Sequence, residues 1–149
     1  MSDTQVPALE HTIQQTNLWL KKLGEDLHLE ERHDAYVALR AVLHVLRDRL
    51  TPEQAVHLGA QLPILVRGIY YEGWRPVQTP ANERQPAEFA ALVAAQMPAQ
   101  LGREALRVTK AVFGLLEKEL DSGETAKIIA TLPAPLRSLW LGWPAQADH

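Results

Sequence analysis

Leucine and alanine recur along this chain at the spacing of a helix face. Leu20, Leu23 and Leu27 stand three and four residues apart. Leu39, Leu43, Leu46 and Leu50 follow at steps of four, three and four, and Ala55, Leu58, Leu62, Leu65 and Ile69 keep a similar period. Mostly polar residues fill the positions between, so each run reads as an amphipathic helix with one buried face. The pattern predicts helices over residues 16–27, 33–49 and 52–71, and again over 86–97, 103–120 and 123–140. β-Branched residues are sparse beside Leu and Ala, which favours helix over strand.

Start and stop signals sharpen these elements. Thr51-Pro52-Glu53-Gln54 has the form of a capping box: Thr accepts a free N–H, Pro fits the first helical position and Gln reaches back. Asp121-Ser122-Gly123-Glu124 places a cap residue and an acidic partner at the same offset. Pro63 and Pro133 fall inside the third helix of each set and predict a kink or break after Gln61 and after Thr131. Residues 73–85, with Pro76, Pro80 and Asn82, read as a stiff connection.

The two sets of helices match each other. Shifted by 70 residues, Ala41-Val42 aligns with Ala111-Val112, Leu46 with Leu116, Leu50 with Leu120, Leu62-Pro63 with Leu132-Pro133 and Arg67 with Arg137. Trp19 falls opposite Phe89, and Tyr70 opposite Trp140. The expected fold is therefore all-α: two tandem three-helix units packed as one six-helix bundle in a single domain. Unit one covers 16–74, the proline-rich linker 75–85 and unit two 86–143, and residues 144–149 are expected to fray. A three-helix unit of this size buries too little alone, so the units are expected to share a core.

Composition narrows the function classes. The 149 residues carry a formal charge of −3, which gives no overall attraction to nucleic acid or to an anionic membrane. The longest apolar stretch, near residues 56–71, is interrupted by His57, Gln61 and Arg67, so no membrane span is expected. There is no cysteine, which excludes disulfides, thiolate metal sites and a cysteine nucleophile. No basic start followed by an apolar run is visible, so a cytoplasmic location is expected.

Residues 38–50 (ALRAVLHVLRDRL) and 61–76 (QLPILVRGIYYEGWRP), with the later Gly123-Glu124, Leu132-Pro133 and Leu139-Trp140, resemble a bacterial family known as domain of unknown function 2267. The resemblance runs from about Thr16 to Trp143. It implies a compact helical bacterial protein and brings no catalytic or binding residues with it.

The densest polar and aromatic cluster is Arg67, Tyr70, Tyr71, Trp74 and Arg75. Two guanidiniums beside three rings suit a planar anion or a partner's carboxylate. Structurally, the same residues would seal the end of the core, and the recurrence of Arg137 and Trp140 favours that role. Arg40, His44, Arg47 and Asp48 share one face of the second helix, which suits phosphate or pH sensing; a solvated face opposite the leucines is preferred. Glu30/His33 and Glu53/His57 have metal-ligand spacing but stand without further carboxylates, so no metal site is expected. No glycine-rich phosphate loop, dinucleotide fingerprint or nucleophile elbow occurs.

The leading expectation is a non-enzymatic interaction or scaffold module. It would meet a protein partner or a second copy through the two third-helix ends and the linker, with Tyr70, Tyr71, Trp74 and Arg75 exposed. The alternative is a binder of a small anionic ligand held by Arg67 and Arg75 between the units. An enzyme ranks third, because no acid/base or nucleophile pair can be named. No cofactor, nucleic-acid partner or membrane partner is expected.

Overall fold

A computed structural model describes residues 5–140. The last residues assigned to unit two, 141–143, and the terminal 144–149 lie outside the described residues. The described chain is all-helical, with nine α-helices and no strand. They are α1 (Pro7–Leu27), α2 (Arg32–Arg49), α3 (Pro52–Gly59), α4 (Ile64–Tyr71), α5 (Pro86–Ala95), α6 (Ala99–Gly102), α7 (Ala105–Glu119), α8 (Ser122–Thr131) and α9 (Ala134–Arg137). One 3-10 turn, Pro76–Gln78, interrupts the linker.

The centre of the molecule is α2. Ala35, Ala38, Leu39, Ala41, Val42, Leu43, His44, Val45, Leu46 and Arg47 are all buried, so this helix is covered on every side over its middle turns. It packs on α1, α4, α5 and α7, and α7 in turn packs on α1, α5 and α8. One apolar core runs from Trp19 to Trp140 through these helices. At its α7 end, Phe113 stacks on Trp140 with ring centroids 3.9 Å apart and meets Phe89 edge-on at 5.7 Å.

The predicted starts are present. Thr51 and Gln54 exchange both capping-box bonds, at 3.3 and 3.4 Å, and Asp121 accepts from the Glu124 N–H at 3.1 Å. Each predicted third helix is broken, giving α3 and α4 around Pro63 and α8 and α9 around Pro133. The second-unit middle helix is present unbroken as α7, and Pro98 opens a short extra helix, α6, in the connection that precedes it.

The largest departure from the predicted elements is α1, which begins at Pro7 rather than near Thr16. Its extra turns answer a need created by Pro63. Proline stands at the N-cap of α4 and has no side-chain acceptor for the free N–H groups there. Thr12 on α1 supplies one, its Oγ1 accepting from the Leu65 N–H at 2.9 Å. The early half of α1 is thus held against α4.

Candidate functional site

The break after α3 leaves carbonyls short of helix hydrogen bonds, and Arg67 repairs it. Its Nε donates to Gly59 O at 2.8 Å, and its Nη2 donates to Leu62 O at 2.9 Å and Ala60 O at 3.2 Å. Arg137 folds back in the same way, donating to Leu132 O at 3.0 Å and Ala130 O at 3.4 Å. A proline that breaks the helix and an arginine four residues later that closes the break form one device.

The aromatic residues form a row. Tyr70 and Tyr71 meet edge-on at 5.0 Å, and Tyr71 lies 5.5 Å from Trp74. Tyr70 is fully buried, and its hydroxyl donates to Ala55 O at 2.6 Å. Burial pushes that hydroxyl well above the usual phenol range, so it stays a donor. The expectation of an exposed Tyr70 is therefore corrected: the ring that looked like a surface contact closes the core between α3 and α4. Tyr71 and Trp74 are half-buried, and Arg75 is exposed. The Tyr71 ring lies so close to α3 that a Cβ on Gly59 would stand 2.7 Å from its Cζ, and only glycine fits there without displacement.

The expectation of a solvated polar face on α2 is corrected in part: His44 and Arg47 are buried, while Arg40 and Asp48 keep part of their side chains in solvent. No basic residue stands in the last turn of α4, so its free carbonyls take their donors from α2. Arg47, only 4 % exposed, donates through Nη1 to Tyr70 O at 2.9 Å and Glu72 O at 2.8 Å, while its Nε meets Asp48 at 2.9 Å. His44 lies 2.7 Å from Ile69 O through Nε2, which carries the proton and donates. Arg40 pairs with Glu72 at 2.9 Å.

Burial holds the His44 pKa below its ordinary 6.5; the bond to Ile69 O opposes this, and Arg47 and Arg40 reinforce it. The folded state therefore keeps His44 neutral at pH values where the unfolded chain has bound a proton. Stability from this residue is complete above about pH 6.5 and declines as pH falls below it, toward the folded pKa. Denaturant unfolding from pH 7.5 to 5 should show this decline, and His44→Gln, which keeps a donor, should flatten that part of the profile.

The linker is docked on the end of α2. Ala81 N–H donates to Asp48 O at 2.7 Å, and Arg49 donates to the carbonyls of Ala81 and Glu83. Gly73 turns the chain with φ 75°, a conformation that favours glycine. Beneath the linker lies a polar cavity of about 170 Å³ lined by Arg47, Asp48, Gly73, Arg75, Gln78, Thr79 and Ala81. Arg75 thus lines a cavity with Arg47, and Arg67 is not among its lining residues.

A second, larger concavity runs between α1 and α4. It encloses about 500 Å³ and is walled mainly by Leu9, Ile13, Tyr36, Leu65 and Ile69, with Glu72 at its rim. Its apolar walls stay open to solvent: Leu9 is 47 %, Ile64 60 % and Leu65 41 % exposed. Sequence reasoning missed this groove because it missed the first half of α1. The available signals were Pro7 at the first turn and the helical spacing of Leu9, Thr12, Ile13 and Thr16.

His57 does not pair with Glu53; it meets Glu124 across α3 and α8 and holds that carboxyl below its usual range. Among the described residues no three His, Asp or Glu side chains gather as a metal would require, and no helix is long and apolar enough to cross a membrane. No curated protein matches the chain. A family model described as "Uncharacterized conserved protein (DUF2267)" matches residues 16–139, and the chain belongs to that family.

Proposed function

We propose that this chain is a non-enzymatic interaction module that takes the apolar face of a partner protein's helix into the groove between α1 and α4. The observation that carries the proposal is the groove itself, whose apolar walls stay exposed where a monomer would gain by covering them. Gly68 supports it. This glycine lies within α4, costs the helix about 0.5–1 kcal/mol relative to alanine, and meets nothing within 4 Å of a Cβ placed on it. A partner helix lying close to α4 would use that missing side chain.

Ile64→Lys tests the proposal. The side chain is well exposed, so folding stability should stay within about 0.5 kcal/mol of wild type. Partner retention in a pull-down should be lost. Retention of the same partner by the variant would overturn the groove as the docking face. A wild-type dimer in light scattering that this change dissolves would overturn a separate partner in favour of a second copy.

Two finer readings accompany the proposal. The chain is read as two tandem three-helix units, 16–74 and 86–143, in one bundle. The matched caps at Thr51 and Asp121 and the matched foldback of Arg67 and Arg137 support this. A bacterial, cytoplasmic setting follows the family resemblance and the cysteine-free sequence. A second function, binding of a small ligand, is favoured by the cavity at Arg47 and Arg75.

A further inference from the structure

We infer that the cavity beneath the linker binds a small carboxylate bearing a hydrogen-bond donor on the adjacent carbon, an α-hydroxy or α-amino acid. Arg47 is the starting point. It is buried, and its Nε and Nη1 are committed to Asp48, Tyr70 O and Glu72 O, while Nη2 has no partner among the described residues. A buried guanidinium that keeps one nitrogen unspent beside a cavity offers a fixed donor at no further ordering cost.

Arg75 lines the same cavity; its carbonyl accepts from Gln78 N–H at 3.0 Å, and its guanidinium has no hydrogen bond or ion pair among the described residues. The two guanidiniums together match the two oxygens of a carboxylate. Asp48 sets the rest of the specificity. One of its oxygens accepts from Arg47, and the other has no partner among the described residues and can accept from the ligand. Two cations against one carboxylate leave a single net positive charge. A monocarboxylate is neutralised in full there, whereas a phosphate dianion would keep one charge uncompensated and set an oxygen against the acceptor-only carboxylate of Asp48.

Size agrees with this class. About 170 Å³ lies below the roughly 300–1,000 Å³ of sites that take larger ligands such as a nucleotide and suits a short hydroxy or amino acid. The site is separate from the α1–α4 groove and does not depend on it.

The test titrates the full chain with glycolate, glycine, acetate and inorganic phosphate, following the amide signals of Gly73 and Thr79 by NMR. Saturable shifts are expected for glycolate or glycine, with acetate several-fold weaker and phosphate weakest. Arg75→Gln removes an exposed side chain with no partner to lose, so the variant should fold normally and bind at least tenfold more weakly. Asp48→Asn should abolish the advantage over acetate. Arg84→Gln, an exposed change outside the cavity, should bind as wild type does. Absence of any saturable shift, phosphate as the tightest ligand, or unchanged binding by Arg75→Gln would each overturn the inference.

Discussion

Replacing Arg47 by methionine should lower folding stability by about 3 kcal/mol or more, the usual cost of removing one partner from a buried charged network. The reason lies in what the guanidinium holds. Two carbonyls at the end of α4, Tyr70 O and Glu72 O, take their hydrogen bonds from one nitrogen of this side chain, and Asp48 takes another. Methionine fills much of the volume but leaves those acceptors facing a buried surface. At roughly 3 °C per kcal/mol for a chain of this size, the melting temperature should fall by about 10 °C. Urea and thermal unfolding measure both quantities, and a loss under 1 kcal/mol would mean that the solvated-face description of α2 was right after all. Lysine at this position should recover only part of the loss, because a single ammonium on a flexible stem does not reproduce the planar fork.

Phe113→Ala should cost about 3–5 kcal/mol, from lost burial and the cavity left behind. The ring is 1 % exposed and lies between Trp140 and Phe89, so its removal unsupports α5 and the segment after α9 together. Leu106→Ala on the same helix is the control, since that side chain is largely exposed and its loss should stay within about 0.5 kcal/mol. Against a total stability of about 5–15 kcal/mol, the first change is readily seen in equilibrium unfolding and the second is not.

Periodicity and punctuation made much of this architecture legible in the sequence. The leucine spacing located α2 and the later half of α1, and Thr51, Asp121, Pro63 and Pro133 located starts and breaks that the structure contains. Arg67 was legible as architecture rather than as a ligand contact because Arg137 stands at the same distance from its own proline, and both arginines fold back on helix carbonyls.

What escaped depends on contacts between distant segments. The stripe Arg40, His44 and Arg47 looks like a polar face on a helical wheel. His44 and Arg47 are internal because the carbonyls at the end of α4, 23 to 25 residues away in sequence, take hydrogen bonds from them, while Arg40 meets the Glu72 carboxylate at the surface. Tyr70 looked exposed because its polar hydroxyl hides its role; the hydroxyl is satisfied by Ala55 O inside the core. The groove was invisible because residues 7–15 carry too few leucines to announce a helix, and it is Thr12, a polar residue, that ties them to α4.

We propose that this protein meets its partner at the α1–α4 groove and not at the linker surface. The most direct measurement places a photoreactive phenylalanine analogue at Gly68, where nothing stands within 4 Å of a Cβ, and separately at Val77, which is 93 % exposed in the linker. After irradiation in the native cell, mass spectrometry should find one adduct at Gly68, joined to an amphipathic helical segment of another protein and absent when Ile64→Lys is added. No adduct at Gly68, or the same adduct at Gly68 and Val77, would contradict the account.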